Sequence, residues 1–402
     1  MTGTDEYLRL GPDYYDNPFP LYAQLREEQP VTRVITPLGL HVWLVTRYED
    51  ARAALAEPRL HKDNEQFQAL MEARYGPSRR GFEDSINAHM LAADPPDHTR
   101  LRKLVGKAFT GRAIAALRPR IEEIAAGLLE AMEAGPDRVD LLDAYAFPLP
   151  ITVICELLGV PTDERDDFRR WSNTLLQSGE PEAHQAAAVS MAGYLTGLVD
   201  ARRLAPSDDM LGAIVQASED RDKLSRQEAI SMAFLLLVAG HETTVNLIGN
   251  GMFALLRHPE QKAALEADPA LIPNAVEEFL RWDGPVHLAT VRFTAEPATI
   301  GGVDIPAGEV VMVSLSAANR DPSRYPDAEA LDVRRQGAGH VAFGHGIHHC
   351  LGAPLARLEG EIAFRALLER FPGLTLDADP SELAWRPSTL IRGLESLPVR
   401  LR

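Results

Sequence analysis

The chain has 402 residues, 45% apolar and 25% charged, and no low-complexity or single-sign charged stretch divides it, which describes one large globular domain over 1–402 and excludes collagenous, mucin-like or disordered architectures. A net charge of −17 repels phosphate backbones and anionic lipid, so neither nucleic acid nor a membrane is an expected partner. Two cysteines, Cys155 and Cys350, are too few for a disulfide scaffold and point to a reducing, cytoplasmic setting.

Met1 to Tyr7 is polar and acidic and reads as no signal peptide. Val31–Ile35 and His41–Thr46 are β-rich runs joined by Pro37-Leu38-Gly39 and read as a hairpin, followed by a helix over Tyr48–Leu55. From Thr99 to Leu271 the pattern is almost wholly helical; Ile121, Ile124, Ala125, Leu128 and Leu129 form one apolar stripe. Cys155 shares a helical face with Ile151 and Leu158 and reads as core. Ser225 and Glu228 have capping-box spacing and open a helix running to about Arg257, on the order of 45–50 Å long. Its centre, Phe234–Ala239, is apolar all round and is expected to be buried; the longest unbroken apolar run, Met232–Ala239, is shorter than a bilayer span. After Trp282, the runs 298–300, 303–305 and 309–315 read as short strands, with Gly301-Gly302 as a turn, and a last helix covers about Leu351–Phe371. The fold class is mainly α with a smaller β-containing lobe from about 18–60 and 285–335 and a helical bulk over about 95–282 and 350–371.

Four clusters carry chemistry. In Phe343-Gly344-His345-Gly346-Ile347-His348-His349-Cys350-Leu351-Gly352, two glycines allow a tight backbone path, and Cys350 stands where the last helix starts, a setting that favours a thiolate. Pro354 falls in that helix's first turn, where no amide donor is needed. Zinc bound by His345, His348, His349 and Cys350, a nucleophilic cysteine, a buried structural cysteine and a haem-thiolate ligand are the four readings of this segment. Glu278 and Arg281 stand one turn apart within ion-pair reach; a solvated surface pair is the plain alternative. His98 and Arg102 share one face of a helix starting near Pro96, and an ordinary basic surface is the alternative. Glu242 and Thr243 place an acid and a hydroxyl in the middle of a buried helix, where Thr can bond back to a carbonyl and bend it.

The Phe343–Gly352 segment closely resembles the haem-binding loop of the cytochrome P450 family, and the other motifs follow in that family's order. The likeness spans roughly Pro18 to Leu401, includes Asn319-Arg320-Asp321-Pro322, and is strongest to the soluble actinobacterial members. It implies haem b with Cys350 as iron ligand, Phe343 and Gly344 around the sulfur, and His348 beside a propionate. His98, Arg102 and Arg292 would hold the propionates, with Met90 and Leu91 at the haem edge. Glu278, Arg281 and Arg335 would form the buried brace; Leu331 replaces the family's usual aromatic, so Arg334 competes with Arg335 for the third place. Thr243 and Glu242 would serve oxygen activation and proton delivery.

The resemblance further implies a monomeric monooxygenase inserting one oxygen atom of O2 into a bulky, largely apolar molecule such as a macrolide or other polyketide, steroid or terpenoid. Electrons would come from NAD(P)H through ferredoxin reductase and ferredoxin, docked near Lys103, Lys107 and Arg112. Leu235, Val238, Ala239, Leu288, Ala289, Leu390 and Ile391 are expected to line the pocket, with a lid from the Leu60–Met90 loop and the helices over Phe168–Leu195. His287 would either bond a polar substituent or lie on the surface. A peroxygenase on the same fold, which usually lacks the acid–alcohol pair, and a non-catalytic haem sensor are the alternatives.

Overall fold

The computed structural model describes residues 7–402 apart from 12, 77–85, 162–163, 177–180, 206, 208, 217, 220–221 and 337–338, and omits the side chains of 169, 173, 176, 181, 218, 219 and 222. The chain divides into two compact units.

The first unit comprises residues 1–62, 250–350 and 379–395. Strands Val31–Ile35 and His41–Val45 pair antiparallel as the alternation of their residues requires, and they extend into a six-stranded sheet. Val310–Val313 joins that sheet beside His41–Val45 in parallel, followed by Arg292–Thr294 and Leu60–His61. The helix Tyr48–Ala56 packs Tyr48, Ala51 and Leu55 against Trp43, Val45, Val311 and Val313, so the residues read as strand and helix share one core. The hairpin of Ala298–Ile300 and Val303–Ile305 turns at Gly301-Gly302.

The second unit comprises residues 63–249, 351–378 and 396–402. The stripe of the helix Arg118–Ala134 is present, with Ile121, Ala125 and Leu129 buried and Ile124 and Leu128 half-buried, and that helix packs on Ala353–Arg370. Cys155 is fully buried in the helix Pro148–Leu158, and burial pushes its thiol up to about 12.

The run from Thr99 to Leu271 is not continuously helical. Arg138–Asp140 is a strand paired with Pro398–Arg400, and Ser218–Glu219 pairs with Asp222–Lys223. The first partner lies at the far end of the chain, beyond the reach of a local pattern. The Ser225–Glu228 capping box is present: Ser225 N–H donates to Glu228 Oε2 at 2.7 Å and Glu228 N–H to Ser225 Oγ at 3.1 Å. The helix it opens spans Arg226–Arg257, 32 residues or about 48 Å. This is the one described helix long and apolar enough to cross a bilayer, and 67% of its most apolar window is buried inside the fold. Its expected all-round burial fails at Ala239, which is exposed, while Leu235, Leu236 and Leu237 are covered.

Candidate active site

The loop before Cys350 is a backbone construction. Gly344 and Gly346 take φ of 72° and 74°, in the left-handed region that side chains resist. A Cβ on Gly346 would meet the Leu55 carbonyl oxygen at 2.9 Å. The turn is closed by Cys350 N–H donating to the Phe343 carbonyl and Gly344 N–H to the Val341 carbonyl, both at 2.8 Å. Cys350 is exposed, so it is no core cysteine, and the helix that follows starts at Ala353 with Pro354 in its first turn. Among the described residues no cluster of three His, Cys, Asp or Glu is gathered as metal ligands, which removes the four-ligand zinc reading.

Behind this loop the first unit holds a buried ion pair. Arg281 donates to Glu278 through two bonds, Nε to Oε2 at 2.7 Å and Nη2 to Oε1 at 2.8 Å, with the side chains 3% and 2% exposed. The remaining donor capacity of Arg281 goes to the carbonyls of Asn319, Ala328 and Ala330. Arg335 supplies the second cation, its Nε 3.2 Å from Glu278 Oε1; Arg334 is exposed and its backbone N–H is taken by Asp332. The solvated-pair reading of Glu278 and Arg281 therefore fails, and Arg335 is the residue that reaches Glu278. Arg292 opens a strand, is 4% exposed, and donates to the Thr290 carbonyl at 3.0 Å.

In the second unit His98 and Arg102 lie one turn apart on the helix Asp97–Gly106, His98 buried and Arg102 half-buried. Leu91 is half-buried in the turn Met90–Ala92. On the long helix, Thr243 Oγ1 donates to the Ala239 carbonyl at 3.0 Å, the back-bond expected of it. Glu242 is 1% exposed; Ser172 Oγ lies 3.4 Å and His241 Nε2 3.5 Å from its Oε1, and Ser172 Oγ is 2.9 Å from His241 Nε2. His241 Nδ1 donates to the Leu237 carbonyl at 2.7 Å. Ser172 carries no local signal, because its partnership with Glu242 needs two helices to be packed first.

Of the expected pocket residues, Leu288, Ala289, Leu390 and Ile391 come together in the first unit: Ile391 bridges Val286, and His287 N–H donates to the Leu390 carbonyl. Leu235, Val238 and Ala239 lie on the long helix in the second unit. His287 is not on the surface: it is 3% exposed, with Nε2 2.6 Å from Tyr22 Oη and 3.1 Å from Tyr14 Oη. Burial drives its imidazole well below the ordinary histidine range. The Leu60–Met90 segment is not a loop, since Asn64–Tyr75 is a helix; its residues 77–85 lie outside the described ones, as do 177–180 of the second lid segment. Lys103, Lys107 and Arg112 are exposed.

The donor set fits an iron porphyrin. Within the first unit, a single soft sulfur on a closed turn suits a haem iron, and the buried Arg292 is a cation that would offset a carboxylate costly to bury alone. A mainly helical fold with such a sulfur loop and a buried carboxylate–arginine brace is that of a haem-thiolate enzyme. A family model described as Cytochrome P450 matches residues 198–387. The chain is 53% identical to the cytochrome P450 monooxygenase PikC of Streptomyces venezuelae, covering 98% of this chain and 93% of that one. It is 47% identical to the 6-deoxyerythronolide B hydroxylase of Saccharopolyspora erythraea, over 94% and 95%. The solved structure of the tirandamycin C-bound P450 monooxygenase TamI superposes with a TM-score of 0.92 at 51% identity, covering 98% of this chain and all of that one. The chain belongs to the cytochrome P450 family and is a monooxygenase.

Proposed function

We propose that the protein is a cytoplasmic, monomeric haem b monooxygenase that inserts one oxygen atom of O2 into a macrolide or related polyketide, drawing electrons from NAD(P)H through a ferredoxin reductase and a ferredoxin. The observation that carries this reading is the exposed Cys350, fixed through its amide to the Phe343 carbonyl on a turn only glycine permits.

Cys350 would hold the iron, with Phe343 and Gly344 shaping the sulfur's surroundings. His98, Arg102, Arg292 and His348 would take the propionates, and Leu91 would pack at the edge. The bound haem supplies the activation of dioxygen, which no side chain can perform. Thr243 donates its hydroxyl proton to the Ala239 carbonyl, so its oxygen faces outward as an acceptor and can fix a water. Glu242, the preceding residue, almost fully buried beside Ser172 and His241, would be the acid of the proton relay. Side chains at Leu235, Val238, Ala239, Leu288, Ala289, Leu390 and Ile391 are small or aliphatic and favour a large apolar substrate; one relative is a 6-deoxyerythronolide B hydroxylase and TamI is solved with tirandamycin C bound. Exposed Lys103, Lys107 and Arg112 give an acidic ferredoxin a basic landing site.

The test is a spectral titration of the purified haem protein with a panel of macrolides, looking for the low-to-high spin shift, followed by turnover with NADPH, reductase and ferredoxin. The reading requires an oxygenated product from a compound that gives the shift. Turnover with hydrogen peroxide and none with the ferredoxin system would contradict it.

A further inference from the structure

The brace of Glu278 with Arg281 and Arg335 leaves its neighbour Glu277 outside the pair. Glu277 is on the same helix, Ile272–Asp283, and its Oε2 stands 3.2 Å from His340 Nε2 on an oblique approach. The His340 side chain is 4% exposed and that of Glu277 22%, so the imidazole is buried while the carboxylate keeps partial access to solvent. At its other nitrogen, His340 Nδ1 accepts the Ala342 N–H at 3.2 Å. An imidazole that accepts at Nδ1 carries its proton on Nε2, the side turned to the carboxylate.

His340 also packs its ring 5.9 Å from that of Phe343, and Phe343 is the residue whose carbonyl receives the Cys350 amide. Its neighbours are tied as well: Tyr48 Oη donates to the Gly339 carbonyl, and Val341 N–H donates to Asn319 Oδ1 at 2.8 Å. Glu278 holds the start of the same segment, through the Asp332 N–H at 2.9 Å and through Arg335. Two successive carboxylates on one helix thus face the two ends of the stretch that delivers the cysteine loop, Glu278 through hydrogen bonds and Glu277 through its close approach to His340.

We infer that Glu277 and His340 are positioning residues for Cys350: the carboxylate orients the imidazole, and the imidazole fixes the Ala342 amide and the Phe343 ring from which the sulfur turn hangs. Groups that orient a metal's ligand from behind commonly change its affinity or activity by roughly 10–100-fold when removed. The inference rests on the reading of Cys350 as the haem ligand.

The test uses purified holoenzyme as wild type and as His340→Phe, Glu277→Ala and Glu277→Gln. The readout is the reduced carbon monoxide complex, whose Soret band separates thiolate-ligated from thiol-ligated haem, followed over time under mild warming alongside far-UV circular dichroism. His340→Phe and Glu277→Ala should lose the thiolate band roughly tenfold faster than wild type with secondary structure intact, while Glu277→Gln, which still presents an acceptor oxygen, keeps close to the wild-type rate. Loss at the wild-type rate in His340→Phe and Glu277→Ala, or equal acceleration in Glu277→Ala and Glu277→Gln, overturns the inference. A wild type with haem but no thiolate band would instead overturn the assignment of Cys350.

Discussion

Arg281 and Glu278 meet fork to fork, two hydrogen bonds of 2.7 and 2.8 Å made out of reach of water. A planar guanidinium satisfies both carboxylate oxygens at once and still reaches three backbone carbonyls, a geometry lysine lacks. Removing one member leaves the other charged and buried, which costs about 3–5 kcal/mol. Arg281→Lys and Glu278→Ala are therefore expected to unfold at markedly lower temperature and to be purified with little haem. Denaturation midpoints and the haem-to-protein ratio check this; a variant with wild-type values on both would show that the pair is not a brace.

Thr243→Ala removes the hydroxyl bonded to the Ala239 carbonyl without touching the sulfur loop. The haem spectrum should be unchanged while reducing equivalents are diverted to hydrogen peroxide, and product formation should fall by roughly 10²-fold, the usual contribution of a placed proton donor or acceptor. Peroxide and product measured per NADPH give the answer. A fully coupled Thr243→Ala enzyme would remove Thr243 from proton delivery.

Glu359 lies on the helix Ala353–Arg370, 1% exposed, and desolvation holds its carboxyl well above the ordinary value of 4.5. The folded protein keeps a proton there that the unfolded chain releases above 4.5, so this group lowers stability as pH rises, by up to about 1.4 kcal/mol per unit until its folded-state pKa is passed. His287 works in the opposite sense: the unfolded chain takes up a proton below 6.5 that the buried imidazole refuses, so stability falls as pH drops through that range. Above about pH 4.5, melting temperatures of Glu359→Gln should decline less with rising pH than those of wild type, and below about pH 4.5 the two should respond alike. Parallel curves across the whole range would mean that Glu359 is ionised in the fold.

If the electron donor lands on Lys103, Lys107 and Arg112, reversing those charges should raise the ferredoxin concentration needed for half-maximal turnover about tenfold or more at low salt, and added salt should narrow the gap. Peroxide-driven turnover by the same variants should not change. Ferredoxin kinetics indifferent to both charge and ionic strength would place the landing site elsewhere.

What the sequence carried well were features set by short-range chemistry. The capping box at Ser225 and Glu228 is three residues of spacing, and it fixes where the longest helix starts. The Cys350 turn was legible because glycines at 344 and 346 meet a backbone demand that other residues would strain. Glu278 and Arg281 are neighbours on one helical turn, but their burial was not a local property, and neither was the choice of Arg335 over Arg334. His287 was misread for the same reason: its two tyrosine partners come from the first helices of the chain, Tyr14 and Tyr22. The strand at Arg138–Asp140 escaped notice because its ladder partner, Pro398–Arg400, lies more than 250 residues further along the chain. His340 was passed over because a histidine ten positions ahead of the cysteine acquires meaning only when Glu277 is packed beside it.

The most direct measurement is the carbon monoxide difference spectrum of the dithionite-reduced protein, taken for wild type and for Cys350→Ala. The account predicts the strongly red-shifted Soret band of a thiolate-ligated haem in the wild type and its complete loss in Cys350→Ala. A wild-type protein that binds no haem when hemin is supplied, or a Cys350→Ala variant that retains the red-shifted band, would contradict it.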